Sequence, residues 1–440
     1  MSEISLSKAG LSPPAVDQPE NLFTSLGPGL ITGAADDDPS GIATYSQVGA
    51  QFGFAMLWTM LFSFPLMAAI QEICARLGRI TGLGVAANLA KCYPTTVVRV
   101  LVLLLCVANI FNLGADVAAM AATTQLLLGG KLLLYAIFFG AVSLLLQVYV
   151  PYRIYVRYLK WLTWALFAYV LTAFVVRVPW TQALRSTLIP SVSVDPEYLM
   201  ALIAVLGTTI SPYLFFWQTS QEVEDVHISK QESSLRKKPS QAWGQFRRIA
   251  FDTRVGMAFS NIVAFFIILT TAATLHASKA GIRIQTAADA ARALQPLAGR
   301  FAALLFALGI IGTGMLAIPV LAGSAAYAVS ELFGWRASLE SKPRHARKFY
   351  YVLSAATILG VCLNFLGMDP IRALFLSAVV NGIVAVPLMF LLMLVSQKPA
   401  IVGKFVLPRY LRLVGWIATG VMLVASLGFL VTAAQQLLAR

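Results

Sequence analysis

Three carboxylates stand in a row at Asp36, Asp37 and Asp38, inside an otherwise apolar segment, and Pro39 follows them. Carboxylates are hard oxygen ligands, so a triplet set among apolar residues points to cation chemistry. A second apolar segment is interrupted at Gly207-Thr208-Thr209-Ile210-Ser211-Pro212-Tyr213. Ser211-Pro212 repeats the layout of Asp38-Pro39, a capping side chain followed by proline at the first helical position. A carboxylate has several lone-pair sites, so Asp38 can cap a half-helix and ligate a metal together. The half-helix before it should end near Ala34 or Ala35, aiming free carbonyls and a negative dipole end at the same spot. Asp36 and Asp37 either line the aqueous path or include one protonated group.

The elements that carry these residues are membrane crossings. Of 440 residues, 58% are hydrophobic and only 12% charged, with a mean hydropathy of +0.77. That composition predicts an all-α polytopic membrane protein. Apolar runs long enough to cross about 30 Å of hydrocarbon fall at 27–50, 54–75, 99–128, 132–150, 158–178, 197–221, 250–277, 301–332, 349–367, 371–396 and 411–436. Eleven crossings put the termini on opposite sides. Asp38 lies near the midplane of the first, by the ~1.5 Å rise per residue. Non-helical backbone survives in hydrocarbon only where it lines a cavity or is buried in protein. Paired breaks at corresponding places in two halves mark a transporter's substrate site.

The net charge of +14 invites a nucleic-acid reading, but its distribution argues otherwise. With the N-terminus inside, most of the 33 Lys and Arg residues fall in cytoplasmic segments, as the positive-inside rule requires. The partners implied are a divalent cation and the lipid bilayer, with no nucleic acid. Residues 1–26 read as a disordered cytoplasmic tail without the basic flank and cleavage site of a signal peptide. Cys74, Cys92, Cys106 and Cys362 form no CxxC pair, and His227, His276 and His345 sit at helix ends or in loops. No nucleophile–base pair or phosphate-binding glycine loop appears, so an enzyme is not expected. Nothing in the chain decides between a monomer and a homo-oligomer.

Gly27-Pro28-Gly29, Asp38-Pro39, the second break ending in Pro212, and Asp116-Val117-Ala118 in the third crossing together resemble the NRAMP family of divalent-metal transporters. The resemblance implies a leucine-transporter-type fold: two inverted five-helix repeats, about 27–178 and 197–396, with broken helices 1 and 6 and an extra helix at about 411–436. It also implies a bacterial inner (cell) membrane location, with the N-terminus cytoplasmic and the C-terminus outside.

The departures carry information too. Members that move Mn²⁺ and Fe²⁺ usually read Asp-Pro-Gly-Asn in the first helix, and here the Asn position is Gly41. They read Ala-x-x-Met-Pro-His in the sixth, where this chain has Thr208, Ser211, Pro212 and Tyr213. A soft thioether favours transition metals, so its replacement by a hydroxyl removes that preference. Mg²⁺ dehydrates reluctantly and suits a roomier all-oxygen site. The pattern thus looks more like the NRAMP-related magnesium-transporter branch than the Mn²⁺/Fe²⁺ branch. The expected metal contacts are Asp38, Thr208, Ser211, Gly41 and Ala35. Around them or along the path lie Asp36, Asp37, Tyr213, Asp116, Gln218, Asn381 and Glu222.

A usual Glu three residues beyond Asp116 is Ala119 here, and a usual second His in the sixth helix is Gln218. Both changes weaken the case for proton coupling, although a proton-coupled Mn²⁺/Fe²⁺ carrier remains the alternative. Glu222, Glu224 and Asp225 read as a solvated helix terminus or as an attractive inner vestibule. Asn381 in the tenth crossing is a ligand, a water holder or an interhelical hydrogen-bonding group. Two other classes fit these residues less well. A carrier for amino acids or similar solutes would hold a substrate carboxylate that three aspartates repel. A non-transporting sensor would be expected to carry a large soluble domain.

Overall fold

The computed structural model describes residues 28–150, 154, 162–228, 233–277, 284–340 and 342–438. The expected tail 1–26, Gly27, Trp161 and the start of the basic run after Ser229 lie outside the described residues. Among the described residues the chain is helical, with no strand. The elements that matter are α1 (Pro28–Asp36), α2 (Pro39–Phe52), α3 (Trp58–Thr81), α4 (Thr95–Leu128), α5 (Leu132–Tyr149) and α6 (Phe167–Val175). After them come α7 (Pro196–Thr209), α8 (Pro212–Ile228), α9 (Ala242–Thr271), α10 (Ala302–Leu332), α11 (Arg347–Leu363), α12 (Pro370–Val395) and α13 (Arg409–Leu438).

Among the described residues, nine helical segments are long and apolar enough to cross a membrane. Two of the eleven crossings expected from sequence are absent from that nine. One is the α1–α2 pair, whose halves are each too short alone. The other is the shorter apolar helix Trp164–Val175, whose approach through 155–161 lies outside the described residues. Large apolar side chains such as Leu103, Phe138, Phe174 and Val424 are more than half exposed on the outer faces, where lipid is their solvent.

Helices start and stop where local chemistry dictates. Pro39, Pro196, Pro212 and Pro370 each open a helix, where a missing N–H costs nothing. Asp369 caps α12 by accepting from the Arg372 amide at 2.9 Å. Gly82 ends α3 in the left-handed conformation, φ +68°.

Packing is reciprocal between the two halves. α1 and α2 lie along α9, while α8, with a lesser contribution from α7, lies along α3, and α4 faces α10. Two repeats exchanged by an axis in the membrane plane pair their helices in this way. α13 packs against α3, α7 and α12 outside that set. Between apolar helices in lipid, close approach on small residues replaces the hydrophobic drive. A Cβ built on Gly33 of α1 would stand 2.2 Å from the Gly256 carbonyl of α9. One built on Gly207 of α7 would stand 2.1 Å from the Ala378 carbonyl of α12. Both breaks are therefore seated on glycine crossings.

Gly33→Ala should separate α1 from α9 and cost about 1–3 kcal/mol, the range for overpacking a close contact. Thermal unfolding of the purified protein in detergent measures it, and an unchanged midpoint would contradict the crossing.

Candidate metal centre

The first break is a turn of two residues. α1 ends at Asp36, Asp37 bends, and Asp38 sits in extended conformation (φ −71°, ψ 168°) as the N-cap of α2. Asp38 Oδ1 accepts the Gly41 amide at 2.7 Å and the Ser40 hydroxyl at 2.8 Å. Oδ2 accepts the Asn112 side-chain amide of α4 at 2.8 Å. Asn112 Oδ1 in turn accepts the Ser377 hydroxyl of α12 at 2.6 Å. The capping role expected for Asp38 is present, and α4 holds the same carboxylate through Asn112, which α12 fixes in turn.

The second break is built from neutral oxygens. α7 ends at Thr209, and the Ser211 hydroxyl sits 2.8 Å from the Gly207 carbonyl and 2.9 Å from that of Thr208. It thereby satisfies carbonyls that the helix end would otherwise orphan. A Cβ on Gly41 would lie 3.0 Å from Thr208 Oγ1. The space a side chain at position 41 would need is thus taken by the Thr208 hydroxyl, so the two departures from the family pattern are complementary.

The breaks meet. Tyr213 of α8 donates its hydroxyl to the Ala35 carbonyl at 3.3 Å, and the Thr32 hydroxyl donates to Gln218 Oε1. Asp36, Asp37, Asp38, Thr208, Ser211, Tyr213 and Gln218 are all at most 1% exposed. Bulk solvent does not reach them, so the centre is closed on both sides in this conformation.

The other two carboxylates of the triplet face α9. The Ser260 hydroxyl lies 2.6 Å from Asp36 Oδ2 and 3.0 Å from Asp37 Oδ1. Asp36 Oδ1, Asp37 Oδ2, both oxygens of Asp116 and both side-chain polar atoms of Asn381 are buried without a hydrogen-bond partner. Unmet buried polar groups are costly, and carboxylates most of all. Among the described residues, no three His, Cys, Asp or Glu side chains converge as a ready metal cluster. Any metal held here therefore relies on fewer than three such side chains, together with hydroxyl, amide and carbonyl oxygens.

The inner end of α8 corrects one expectation. Glu222 and Glu224 are not a solvated terminus; they are 0% and 6% exposed. Glu222 pairs with Arg248 of α9 at 2.5 Å and lies 3.9 Å from Arg79 of α3. Glu224 accepts the Tyr327 hydroxyl at 2.5 Å and the Leu339 amide at 2.8 Å. The partners come from distant elements, so the carboxylates tie α8 to its neighbours and do not line an open vestibule.

Several residues at the centre were not singled out from sequence: Asn112, Ser260, Ser377 and Asp252, which accepts the Gly29 amide at 2.7 Å. The available signal was spacing. Asn112 and Asp116 stand four apart on α4, as do Asp252, Gly256 and Ser260 on α9, so each set shares a helix face.

Glu222→Ala should destabilise the protein by about 3 kcal/mol, the low end for breaking a buried pair, because Arg248 keeps 19% exposure. A double-mutant cycle with Arg248→Ala in chemical or thermal unfolding measures the coupling. Purely additive costs would contradict the pairing.

Residues 29–432 match the family model described as natural resistance-associated macrophage protein-like. A relative called divalent metal cation transporter MntH, from Clostridium acetobutylicum, is 25% identical, over 93% of this chain and 90% of its own length. One of the same name from Klebsiella pneumoniae is 25% identical, over 90% and 91%. Among solved structures, the Eremococcus coleocola manganese transporter superposes with a TM-score of 0.74 at 18% identity, covering 97% of this chain and 90% of that one. Mhp1, a nucleobase-cation-symport-1 family transporter, superposes at 0.55 with 14% identity, covering 93% of each. With the family model spanning nearly its whole length and the two helix breaks in place, the chain belongs to the Nramp family.

Proposed function

We propose that this chain is a secondary transporter that carries divalent metal cations, Mg²⁺ and/or Mn²⁺, inward across a bacterial cell membrane by alternating access. One observation carries the reading: Asp38, the anionic side chain that caps α2 where the two breaks meet, is held by the Ser40 hydroxyl and the Gly41 and Asn112 amides, and the second break presents hydroxyl and carbonyl oxygens, with Ser211 standing where a thioether would. An all-oxygen set with one charge suits a cation that keeps part of its water shell. Asp38 supplies the charge, the Ala35 carbonyl and Thr208 supply neutral oxygens, and Gly41 leaves room for Thr208. Ser211 and Tyr213 set the cavity's size, and Asp36, Asp37 and Asn381 line the approach. The N-terminus lies in the cytoplasm and the C-terminus outside.

The closed geometry supports alternating access. The hydrogen bonds Tyr213–Ala35 and Thr32–Gln218 tie α8 to α1, and the Glu222–Arg248 pair ties α8 to α9. Releasing these contacts would free α1 and the inner end of α8 together and open the centre to the cytoplasm. The repeats at about 27–178 and 197–396 would move against one another around the fixed site.

A second reading, proton-coupled Mn²⁺ or Fe²⁺ carriage, draws on the relatives' names and on Asp116, whose buried oxygens have no hydrogen-bond partner. Influx of Mg²⁺ and Mn²⁺ into proteoliposomes loaded with a pH dye separates the two. Mg²⁺ entry without acidification is the expected result, and Asp38→Ala should abolish influx while the protein still folds. Mn²⁺-only entry with acidification would favour the second reading, and near-normal influx in Asp38→Ala would remove Asp38 from the site.

Ser211→Met returns a soft ligand to the second break. It should raise the preference for Mn²⁺ or Cd²⁺ over Mg²⁺ by about tenfold, equivalent to ~1.4 kcal/mol. Competition uptake assays measure the ratio, and an unchanged ratio would mean that position 211 does not face the metal.

A further inference from the structure

Asp38 has little acceptor capacity left. A carboxylate offers about four lone-pair sites, two on each oxygen. Oδ1 takes both the Gly41 amide and the Ser40 hydroxyl, which fills it. Oδ2 takes the Asn112 amide, which leaves one site open. These clamps act on opposite oxygens, so the carboxylate cannot turn about its Cβ–Cγ bond without breaking one of them.

The orientation of Asn112 is itself determined. An ionised carboxylate only accepts, so the amide must turn its NH₂ toward Asp38, and its carbonyl oxygen therefore faces Ser377. Ser377 hydroxyl lies 2.6 Å from that oxygen and 2.7 Å from the Leu374 carbonyl of its own helix. Asn112 and Ser377 are both 0% exposed, so no water competes for these bonds. The chain Ser377–Asn112–Asp38 joins α12, α4 and the first break.

We propose that Asn112, fixed by Ser377, is a specificity-determining positioning residue that confines Asp38 to a single one-oxygen bond through Oδ2, and so disfavours Ca²⁺ against smaller divalent cations. The inference rests on the reading of Asp38 as a ligand of the transported cation. Ca²⁺ gathers about 6–8 oxygens and often takes both oxygens of a carboxylate, whereas Mg²⁺ accepts about six in a strict octahedron, waters among them. A two-oxygen grip needs Oδ1, and Oδ1 is committed to the cap of α2. With Asn112 removed, the carboxylate is held at one end only. It can pivot while the Ser40 hydroxyl rotates away, and both oxygens can then reach one cation.

The test uses the full chain in proteoliposomes and whichever of Mg²⁺ and Mn²⁺ the wild type carries, with graded external Ca²⁺. The readout is the ratio of the Ca²⁺ inhibition constant to the KM of the carried ion. Asn112→Ala should lower that ratio by about tenfold or more, the scale for loss of a partner that orients a metal ligand. Ser377→Ala should move it the same way by less, because the amide stays but loses its lock. If Asn112→Ala does not yield folded protein, Asn112→Ser and Ser377→Ala decide the question by the same ratio. An unchanged ratio in folded variants, with Asp38→Ala inactive, would overturn the proposal alone. Continued uptake in Asp38→Ala would instead overturn the site reading beneath it.

Discussion

Hydrocarbon offers a broken helix nothing to bond with, so each carbonyl and amide orphaned at the two breaks must find its partner within the protein. That requirement organises this molecule. The amides at the start of α2 are met by Asp38, and the carbonyls at the end of α7 by the Ser211 hydroxyl. The Ala35 carbonyl at the end of α1 is met by a tyrosine from the opposite break. Each break is completed in part by the other. The glycine crossings of Gly33 on α9 and Gly207 on α12 bring them close enough to do so.

The same constraint makes the carboxylates informative. An aspartate at the bilayer centre costs roughly 2.5–3.5 kcal/mol on insertion scales, and this chain buries Asp36, Asp37, Asp38 and Asp116 among its apolar helices, all at most 1% exposed. Asp38 is satisfied by protein donors. The others keep at least one unmet oxygen each, an unfavourable state that a cation or proton would relieve. In the proposed site, the hydroxyl of Ser211 in place of a thioether and the pairing of Gly41 with Thr208 favour hard oxygen chemistry.

Much of this was legible in the sequence where the chemistry is local. Asp38-Pro39 and Ser211-Pro212 announce helix starts, because capping depends on neighbours three residues away, and both helices begin there; Asp38 caps as read, whereas the Ser211 hydroxyl turns back to the carbonyls that end α7 instead of capping α8. Expected crossings fell on the observed helices wherever those are described. Partnerships between distant elements were not legible. A lone Asn112, Ser260 or Ser377 in an apolar helix looks the same whether it bonds its own backbone or a carboxylate on another helix. Glu222 and Glu224 looked like a solvated helix end, since a carboxylate facing water and one facing Arg248 or Tyr327 leave the same local pattern. The four-residue spacings on α4 and α9 were the available clue, and a helical stripe of polar residues inside an apolar run is how such partners can be found.

The most direct measurement is an anomalous difference map from crystals of the protein grown or soaked with Mn²⁺. The account predicts one dominant intramembrane peak between Asp38 Oδ2, the Ala35 carbonyl and the Thr208–Ser211 break, with Asn112 still bonded to the carboxylate. A dominant peak at Asp36, Asp37 and Ser260, or at Asp116, with none at Asp38, would contradict it.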